Sequence, residues 1–216
     1  MARPSRFADT VTEYYQAVLG VGQDLLAAFA VALKEDPDTF TRHATKTPSQ
    51  LRLIYYPHNP DAEDAQGIGA HTDYECFTLL KPTAPGLEVL NGAGGEWIDV
   101  PPIPGTFVVN IGDMLELWTN GTFVATSHRV RKVKQERYSF PLFFNVDYHT
   151  VVQPLPQFVT SDDESRPALV AGEHLFAQTA QTFAYLRSRL DSGDLVLPDG
   201  SLTTGTFGQQ ALQSRN

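Results

Sequence analysis

The sequence predicts a mainly β fold with flanking helices, in which a double-stranded β-helix, or jelly roll, forms the core. Short segments rich in strand-forming residues recur at even spacing between residues 51 and 150, and Gly/Pro turns separate them. Segments with apolar residues at helical three-and-four spacing stand on either side, at residues 7–34 and 167–190. We therefore predict a jelly-roll core preceded by a long helix and followed by a second one.

The N-terminal segment, residues 7–34, has the spacing of an amphipathic helix whose apolar stripe packs on a core. Gly20 and Gly22 lie in its middle, where an interruption of the helix is expected. The next residues, DPDTF and TRHATKTPSQ, predict a turn and a short helical or irregular piece. The stripe consists of Phe7, Val11, Tyr14, Tyr15, Val18, Leu19, Leu25, Leu26, Phe29 and Leu33.

The period of the sequence changes at Leu51, where alternating and strand-rich segments begin. These segments are LRLIYYP, ECFTLLKP, GLEVLN, EWIDVPP, TFVVNIGD, TFVATSHRV and RYSFPLFFNVD, and the turns between them include APG, NGAGG, IPG and TNG. Many short strands joined by such turns are typical of two packed antiparallel sheets.

The C-terminal segment, residues 167–190, predicts one amphipathic helix that packs on a sheet. The tail at 191–216 is rich in Gly, Ser, Thr and Gln and is expected to be loose. No internal repeat or linker divides the chain. We predict one domain over residues 1–216, with the jelly-roll core at 51–150.

Composition places limits on the function. The 216 residues carry a formal net charge of −9, which argues against a nucleic-acid surface because phosphate binding needs clustered Lys and Arg. The one dense basic segment, HRVRKVK at 128–134, alternates in the manner of an exposed face of an edge strand. We expect a small-molecule partner, no nucleic acid and no membrane, and we leave the oligomeric state open.

The single cysteine, Cys76, excludes an internal disulfide framework and fits a reducing compartment. It lies in an apolar strand segment, where a small buried residue is expected. No apolar run is expected to span a bilayer, and the start MARPSRFADTV lacks the apolar core of a signal peptide. The expectation is a soluble, cytoplasmic protein.

Two histidines and a carboxylate form the most informative pattern. His71 and Asp73 are two residues apart in GIGAHTDYECFTLL, so that on a strand they would face the same side. His128 follows in FVATSHRV, and Arg137 and Ser139 follow in ERYSFPLFF. Two imidazoles and one carboxylate on one metal, with other positions open, form the facial triad of non-haem iron(II) oxygenases.

Each part of this pattern has an ordinary alternative. A lone HxD pair arises often by chance, a lone histidine is more often a surface residue, and a lone arginine is usually a solvated strand-end charge. The ordered combination is what predicts a metal site. A zinc hydrolase of the HExxH type is not indicated, because that motif does not occur. The other histidines, for which surface positions are expected, are His43, His58, His149 and His174.

The order and spacing of these residues resemble the iron(II)/2-oxoglutarate dioxygenases related to isopenicillin N synthase. LRLIYYPHNP resembles that family's strand ending in NYYP, with Ile54 in place of Asn. The central stretch from GLEVLN to SHRV and the RYSFPLFF segment are similar as well. The resemblance covers roughly residues 10–188, is strongest over 51–147, and implies a cupin-like jelly roll.

The resemblance implies a role for each residue of the pattern. His71, Asp73 and His128 would bind iron(II) and form the catalytic centre. Arg137 and Ser139 would bind the distal carboxylate of 2-oxoglutarate, and a third hydrogen bond would come from the second tyrosine of the YYP element, Tyr56. Leu80 and Val130 would pack around the co-substrate, although an ordinary core role is as well supported for both.

The implied activity is hydroxylation or desaturation of a small organic molecule, with release of succinate and carbon dioxide. Iron(II), 2-oxoglutarate and dioxygen would be required, with ascorbate as a reductant. Two alternatives stay open. One is a 2-oxoglutarate-independent oxidase like isopenicillin N synthase, in which the RxS pair would bind the substrate's own carboxylate. The other is a truncated, catalytically idle form, because family members usually carry a substantial region ahead of the long helix.

Overall fold

The structure is a computed structural model that describes residues 4–60, 66–92, 95–131, 134–160 and 166–199. Its helices are α1 (Pro4–Ala32), α2 (Asp38–Thr41), α3 (Asp113–Trp118), α4 (Ala171–Thr182) and α5 (Ala184–Asp191), with a 3-10 turn at Pro156–Phe158. Its strands are β1 (Gln50–Leu51), β2 (Ile54–Tyr56), β3 (Gln66–His71), β4 (Phe77–Pro82), β5 (Leu87–Asn91), β6 (Glu96–Val100), β7 (Val108–Ile111), β8 (His128–Arg131), β9 (Arg137–Phe144), β10 (Val151–Val152) and β11 (Leu169–Val170).

Two antiparallel sheets form the jelly roll, as the sequence predicts. In the first sheet the strand order is β1-β9-β4-β7, and β2 also pairs with β9. In the second sheet the order is β3-β8-β5-β6. Side chains from both sheets, among them Leu80 and Ser139 of the first and Leu87 and Val130 of the second, line one shared cavity. The predicted mainly β fold class is confirmed.

The position of the basic segment at 128–134 in the structure differs from the sequence prediction of an edge strand. β8 is not an edge strand, because it lies between β3 and β5. Its arginines are paired: Arg129 bonds Glu88 at 2.7 Å and stacks 4.2 Å from the Trp97 ring, and Arg131 bonds Asp99 at 2.7 Å. These contacts therefore link β8 to β5, its neighbour, and to β6, the next strand of the second sheet. Residues 132 and 133 lie outside the described part of the chain.

Helix α1 packs on the first sheet through residues four apart: Val18, Gly22, Leu26 and Ala30 are all buried. The expected interruption at Gly20 and Gly22 is wrong, because α1 runs unbroken through both. Gly22 lies against the ring of Phe144, and a Cβ at this position would overlap that ring. Gly20 faces solvent, with nothing near its missing Cβ. The glycine at position 22 therefore permits close helix-to-sheet packing.

The two glycines of α1 give a matched test of this packing. Gly22→Ala is expected to lower the free energy of unfolding by about 1–3 kcal/mol, because the new methyl displaces the buried Phe144 ring. Gly20→Ala is expected to raise it by about 0.5–1 kcal/mol, since alanine is the better helix former and has room. Denaturant unfolding measures both changes. Equal effects of the two substitutions would contradict the packing argument.

The same helix corrects the expectation about apolar runs. By length and composition alone, Arg6–Ala32 could cross a membrane, because it contains an 18-residue window with a mean hydropathy of 1.3. A core helix of a soluble protein and a signal sequence meet the same two criteria. In this structure the helix contributes Val18 and Leu26 to the main hydrophobic core.

The C-terminal segment is not the single helix that its periodicity predicts. It begins as β11, which pairs with β10 through Leu169 and Val152, and becomes helical at Ala171. Phe183 is extended, with φ −86° and ψ 120°, and separates α4 from α5. Of the predicted loose tail, only residues up to 199 are described, and residues 200–216 lie outside the description. The single-domain organisation stays a prediction.

Candidate functional site

His71, Asp73 and His128 come together at one end of the cavity. His71 is the last residue of β3 and His128 the first of β8, and the two are directly paired across the strands. The Nε2 atoms of His71 and His128 lie 3.7 and 3.5 Å from Oδ1 of Asp73. One ligand atom from each residue lies within 4.8 Å of the others, and no other such group of three occurs among the described residues.

Asp73 does not extend the strand that carries His71, contrary to the sequence prediction. It lies in the connection between β3 and β4, which is held by backbone amides at the start of α3. The amide of Asp113 donates to the Asp73 carbonyl at 2.9 Å, and the amide of Gly112 donates to the Cys76 carbonyl at 2.9 Å. A Cβ on Gly112 would overlap the Glu75 carbonyl, so this close contact requires glycine.

Hydrogen bonds outside the triad orient its ligand atoms. Nδ1 of His71 lies 2.8 Å from the Gly69 carbonyl, and Nδ1 of His128 lies 3.2 Å from the Thr126 carbonyl. A carbonyl only accepts, so each Nδ1 carries the proton and each Nε2 keeps its lone pair for a metal. The Thr78 hydroxyl donates to Oδ2 of Asp73 at 2.6 Å, which leaves Oδ1 directed at the two imidazoles.

The charges around the triad favour a cation. Burial works to raise the pKa of Asp73, but the His128 and His71 imidazoles and the Thr78 hydroxyl hold it below its usual value. Burial raises the pKa of two neighbouring carboxyl groups, Glu75 and Asp113, to about 8 each. Near pH 7 these two are therefore largely protonated, and Asp73 supplies the negative charge of the site.

The two imidazoles differ in their tendency to take up a proton. Burial lowers the pKa of His71, and the neighbouring His128 ring lowers it further. Burial also works to lower the pKa of His128, but the Asp73 carboxylate outweighs it, so this pKa is raised. A metal at the triad would compete with a proton for the Nε2 lone pair of His128.

Arg137 occupies the other part of the cavity and is 0% exposed. Its Nε donates to the Ala84 carbonyl at 3.2 Å. Its guanidinium carbon lies 4.8 Å from the centre of the Tyr56 ring, and Tyr56 on β2 is directly paired with Arg137 on β9. Burial lowers the pKa of Arg137, but a guanidinium stays charged at neutral pH. Nη1 and Nη2 are buried without a hydrogen-bond partner in the described structure.

One cavity of about 420 Å³, counting the part open to solvent, joins all these groups. The triad residues, Tyr56, Arg137 and Ser139 line it, so the structure brings together every site residue that the sequence predicts. Leu80 and Val130 line it too and form a small apolar cluster with Leu87. Ile54, which stands in place of the family's Asn, also reaches this cavity.

Sequence reasoning missed several residues of the cavity. Thr78 bonds Asp73 from the next strand, and only strand register could have identified it. Asn110, in the VVNIGD segment, is a buried polar residue on a strand, and that polarity was an available signal. Phe143 also lines the cavity. Their positions depend on pairing between segments that are distant in the chain.

The remaining histidines are not all surface residues. His174 is 0% exposed on α4, and burial lowers its pKa to about 4. His43 is half-buried and packs 5.5 Å from the ring of Trp118. The surface expectation is wrong for both, because helices α2 and α4 cover the core at these points. Neither belongs to the triad.

The donor set fits iron(II), and the region around Arg137 fits 2-oxoglutarate. Two imidazoles and one carboxylate bind one face of an octahedral ion and leave three positions for other ligands. The buried Nη atoms of Arg137 lack a hydrogen-bond partner in the described structure, and a carboxylate matches the planar two-pronged geometry of a guanidinium. The two groups share one cavity, so a molecule that reaches from the metal to Arg137 would satisfy both.

Comparison with known proteins gives a consistent result. Residues 47–146 match the 2OG-Fe(II) oxygenase superfamily. The chain is 36% identical over 165 residues to the 2-oxoglutarate-Fe(II) type oxidoreductase hxnY of Emericella nidulans, covering 74% of this chain and 47% of hxnY. It is 34% identical over 195 residues to homoarginine-6-hydroxylase 2-ODD-C23 of Glycine max, covering 85% of this chain and 59% of the relative.

A solved structure shares the fold. A full-length Neurospora crassa protein, crystallised with α-ketoglutarate and thymine, superposes with a TM-score of 0.76 and 28% sequence identity. The match covers 82% of this chain and 57% of the Neurospora protein, so the chain spans about half the length of the relatives it matches. The narrower relation to isopenicillin N synthase stays a prediction. With the sequence match, the jelly roll and the His-Asp-His group in agreement, residues 47–146 of this chain belong to the 2OG-Fe(II) oxygenase superfamily.

Proposed function

We propose that this protein is an iron(II)- and 2-oxoglutarate-dependent dioxygenase that oxidises a small organic molecule. The observation that carries the proposal is the pairing, in one cavity, of the triad with a buried guanidinium whose Nη atoms have no partner among the described residues. A structural arginine would be paired, because an unpaired buried charge is costly. Arg137 is therefore best explained as a residue held ready for an anionic ligand.

The residues of the chain divide the work between them. His71, Asp73 and His128 would hold the iron, and Thr78 and the two backbone carbonyls would keep its ligands oriented. When bound, iron(II) and 2-oxoglutarate supply the activation of dioxygen, coupled to decarboxylation of the co-substrate to succinate.

The co-substrate would be held at its far end. Arg137 and Ser139 are two residues apart on β9 and both line the cavity, so both can reach one carboxylate. Tyr56 lies opposite Arg137 and would add its hydroxyl. The apolar cluster of Leu80, Leu87 and Val130 would keep water away from the bound molecule. The comparison proteins support a small-molecule substrate, since the Neurospora crassa protein was crystallised with thymine and α-ketoglutarate.

Anaerobic titration of the iron(II)-loaded protein with 2-oxoglutarate tests the proposal. Chelation of iron by the co-substrate is expected to produce a weak visible charge-transfer band that saturates with 2-oxoglutarate. Succinate should then form when dioxygen and an accepted substrate are added. Turnover that is undiminished without 2-oxoglutarate would instead indicate an oxidase like isopenicillin N synthase. Iron binding without the band would indicate an idle form of the site.

A further inference from the structure

Arg52 continues the row of cavity residues on β2. Ile54 and Tyr56 line the cavity and pair with Ser139 and Arg137 of β9. The register is unbroken towards β1, since Leu51 pairs with Leu142 and the Arg52 amide bonds the Pro141 carbonyl at 3.0 Å. Side chains two apart on a strand share a face. Arg52 therefore lies on the cavity face, beyond Ile54 and away from Arg137.

Two aromatic rings hold the Arg52 guanidinium. Its central carbon lies 5.0 Å from the ring centre of Phe143, which lines the cavity, and 5.9 Å from that of Phe183, the extended residue between α4 and α5. Its Nε donates to the Gln50 side chain at 3.1 Å. Contact through the face of a guanidinium leaves the N–H groups along its edge available for a planar acceptor.

No carboxylate of the described residues forms an ion pair with Arg52. Glu75 interacts with it only at longer range, where the Arg52 charge works to lower the pKa of that carboxyl group. The Arg52 side chain is exposed and contacts Phe143, a residue that lines the cavity, so a ligand that extends out of the cavity past Phe143 can reach it. Arg52 thus offers an oriented positive charge without a paired carboxylate. Four other arginines do have an acidic partner within 4.0 Å: Arg42, Arg129, Arg131 and Arg166.

Arg52 lies near the metal end of the cavity and away from the co-substrate anchor. Phe143 is directly opposite Thr78 in the sheet, and Thr78 bonds the Asp73 carboxylate. Arg52 and Tyr56 are four residues apart, which is about 13 Å along an extended strand. One carboxylate cannot bridge Arg52 and Arg137. An anion at Arg52 would therefore be different from the distal carboxylate of 2-oxoglutarate.

We propose that Arg52 is a substrate-binding residue, and that the substrate of this protein carries a carboxylate which the Arg52 guanidinium binds at the cavity edge. This inference rests on the proposed function and adds a substrate class to it. The aromatic walls of Phe143 and Phe183 favour a substrate whose carboxylate is attached to an apolar or aromatic body.

Matched pairs of ligands test this proposal on the protein loaded with iron(II) and 2-oxoglutarate under nitrogen. The probes are benzoate, phenylacetate, 3-phenylpropionate and indole-3-acetate, each beside its primary amide, with affinity measured by calorimetry. At least one carboxylate is expected to bind about tenfold more tightly than its amide, as one charge-assisted hydrogen bond provides. Equal affinities within every pair would overturn the proposal, and that comparison needs no variant.

Substitutions test whether the preference for carboxylates over amides comes from Arg52. Arg52→Gln should remove the carboxylate preference, and Arg52→Lys should keep part of it, because lysine retains the charge without the planar fork. Arg42→Gln removes the same charge next to the exposed helix α2, where Arg42 pairs with Asp38, and should change nothing. A preference that survives in Arg52→Gln would overturn the proposal.

Co-substrate binding, measured in the same samples, separates this inference from the proposed function. Arg52→Gln should bind 2-oxoglutarate as the unaltered protein does. If the unaltered protein forms no 2-oxoglutarate complex, the proposed function fails and the inference fails with it. If only Arg52→Gln loses the complex, Arg52 belongs to the co-substrate site and the inference alone is overturned.

Discussion

Asp73→Ala is expected to abolish turnover and to lower iron(II) affinity by more than about a hundredfold, a larger loss than removal of a group that only orients a ligand. Asp73 is 5% exposed, and its Oδ1 lies within 3.7 Å of both imidazole Nε2 atoms. Asp73 supplies the negative charge of the site, because the neighbouring carboxyl groups of Glu75 and Asp113 are largely protonated near pH 7. Without it, two neutral imidazoles remain. Iron(II) binding under nitrogen and succinate release in air measure the two losses.

Thr78→Val provides the graded control for this prediction. Valine keeps the branched shape in β4 but removes the hydroxyl that donates to Asp73 Oδ2 at 2.6 Å. Loss of a group that orients a metal ligand usually costs about 10–100-fold in metal affinity. Activity of Thr78→Val should therefore return at high iron concentration, whereas that of Asp73→Ala should not. Equal recovery of both variants would show that Asp73 is not an iron ligand.

The sheets and the triad could be predicted because both depend on signals within short segments. Alternating segments between Gly/Pro turns predict antiparallel strands, and the two sheets formed accordingly. The pair His71 and Asp73 is only two residues apart, so any extended or turning backbone keeps the two side chains close. The triad was therefore predicted correctly even though Asp73 lies in a loop and not on the strand.

Features that depend on tertiary contacts were not predictable in the same way. The periodicity of residues 167–190 cannot reveal that Leu169 pairs with Val152, so the helix begins later than predicted. A glycine at position 22 predicts an interruption of the helix when only the sequence is known. The neighbouring Phe144 ring, which leaves no room for a Cβ, explains why a glycine lies there in an unbroken helix. The bond from Thr78 to Asp73 and the stacking of Arg52 on Phe143 likewise follow from strand register.

Arg137→Ala is expected to weaken 2-oxoglutarate binding by about a hundredfold or more while leaving iron(II) binding unchanged. A bidentate guanidinium–carboxylate contact contributes about 3 kcal/mol, which corresponds to that factor. Arg137 lines the same cavity as the triad but makes no contact with it among the described bonds. Anaerobic titration of the charge-transfer band measures co-substrate affinity. Arg137→Lys should be intermediate, because it keeps the charge without the fork.

Stability measurements distinguish a ligand-binding role of Arg137 from a structural one. The unliganded protein buries this charge with both Nη atoms unpartnered in the described structure, so Arg137→Met should leave the free energy of unfolding unchanged or raise it. If Arg137 belonged to a structural buried ion pair, its removal would instead lower the free energy of unfolding by about 3–5 kcal/mol. Added 2-oxoglutarate, with iron present, should stabilise the unaltered protein but not the variant, because a ligand stabilises only the state that binds it. Unchanged 2-oxoglutarate affinity together with a large loss of stability in Arg137→Met would contradict the carboxylate assignment.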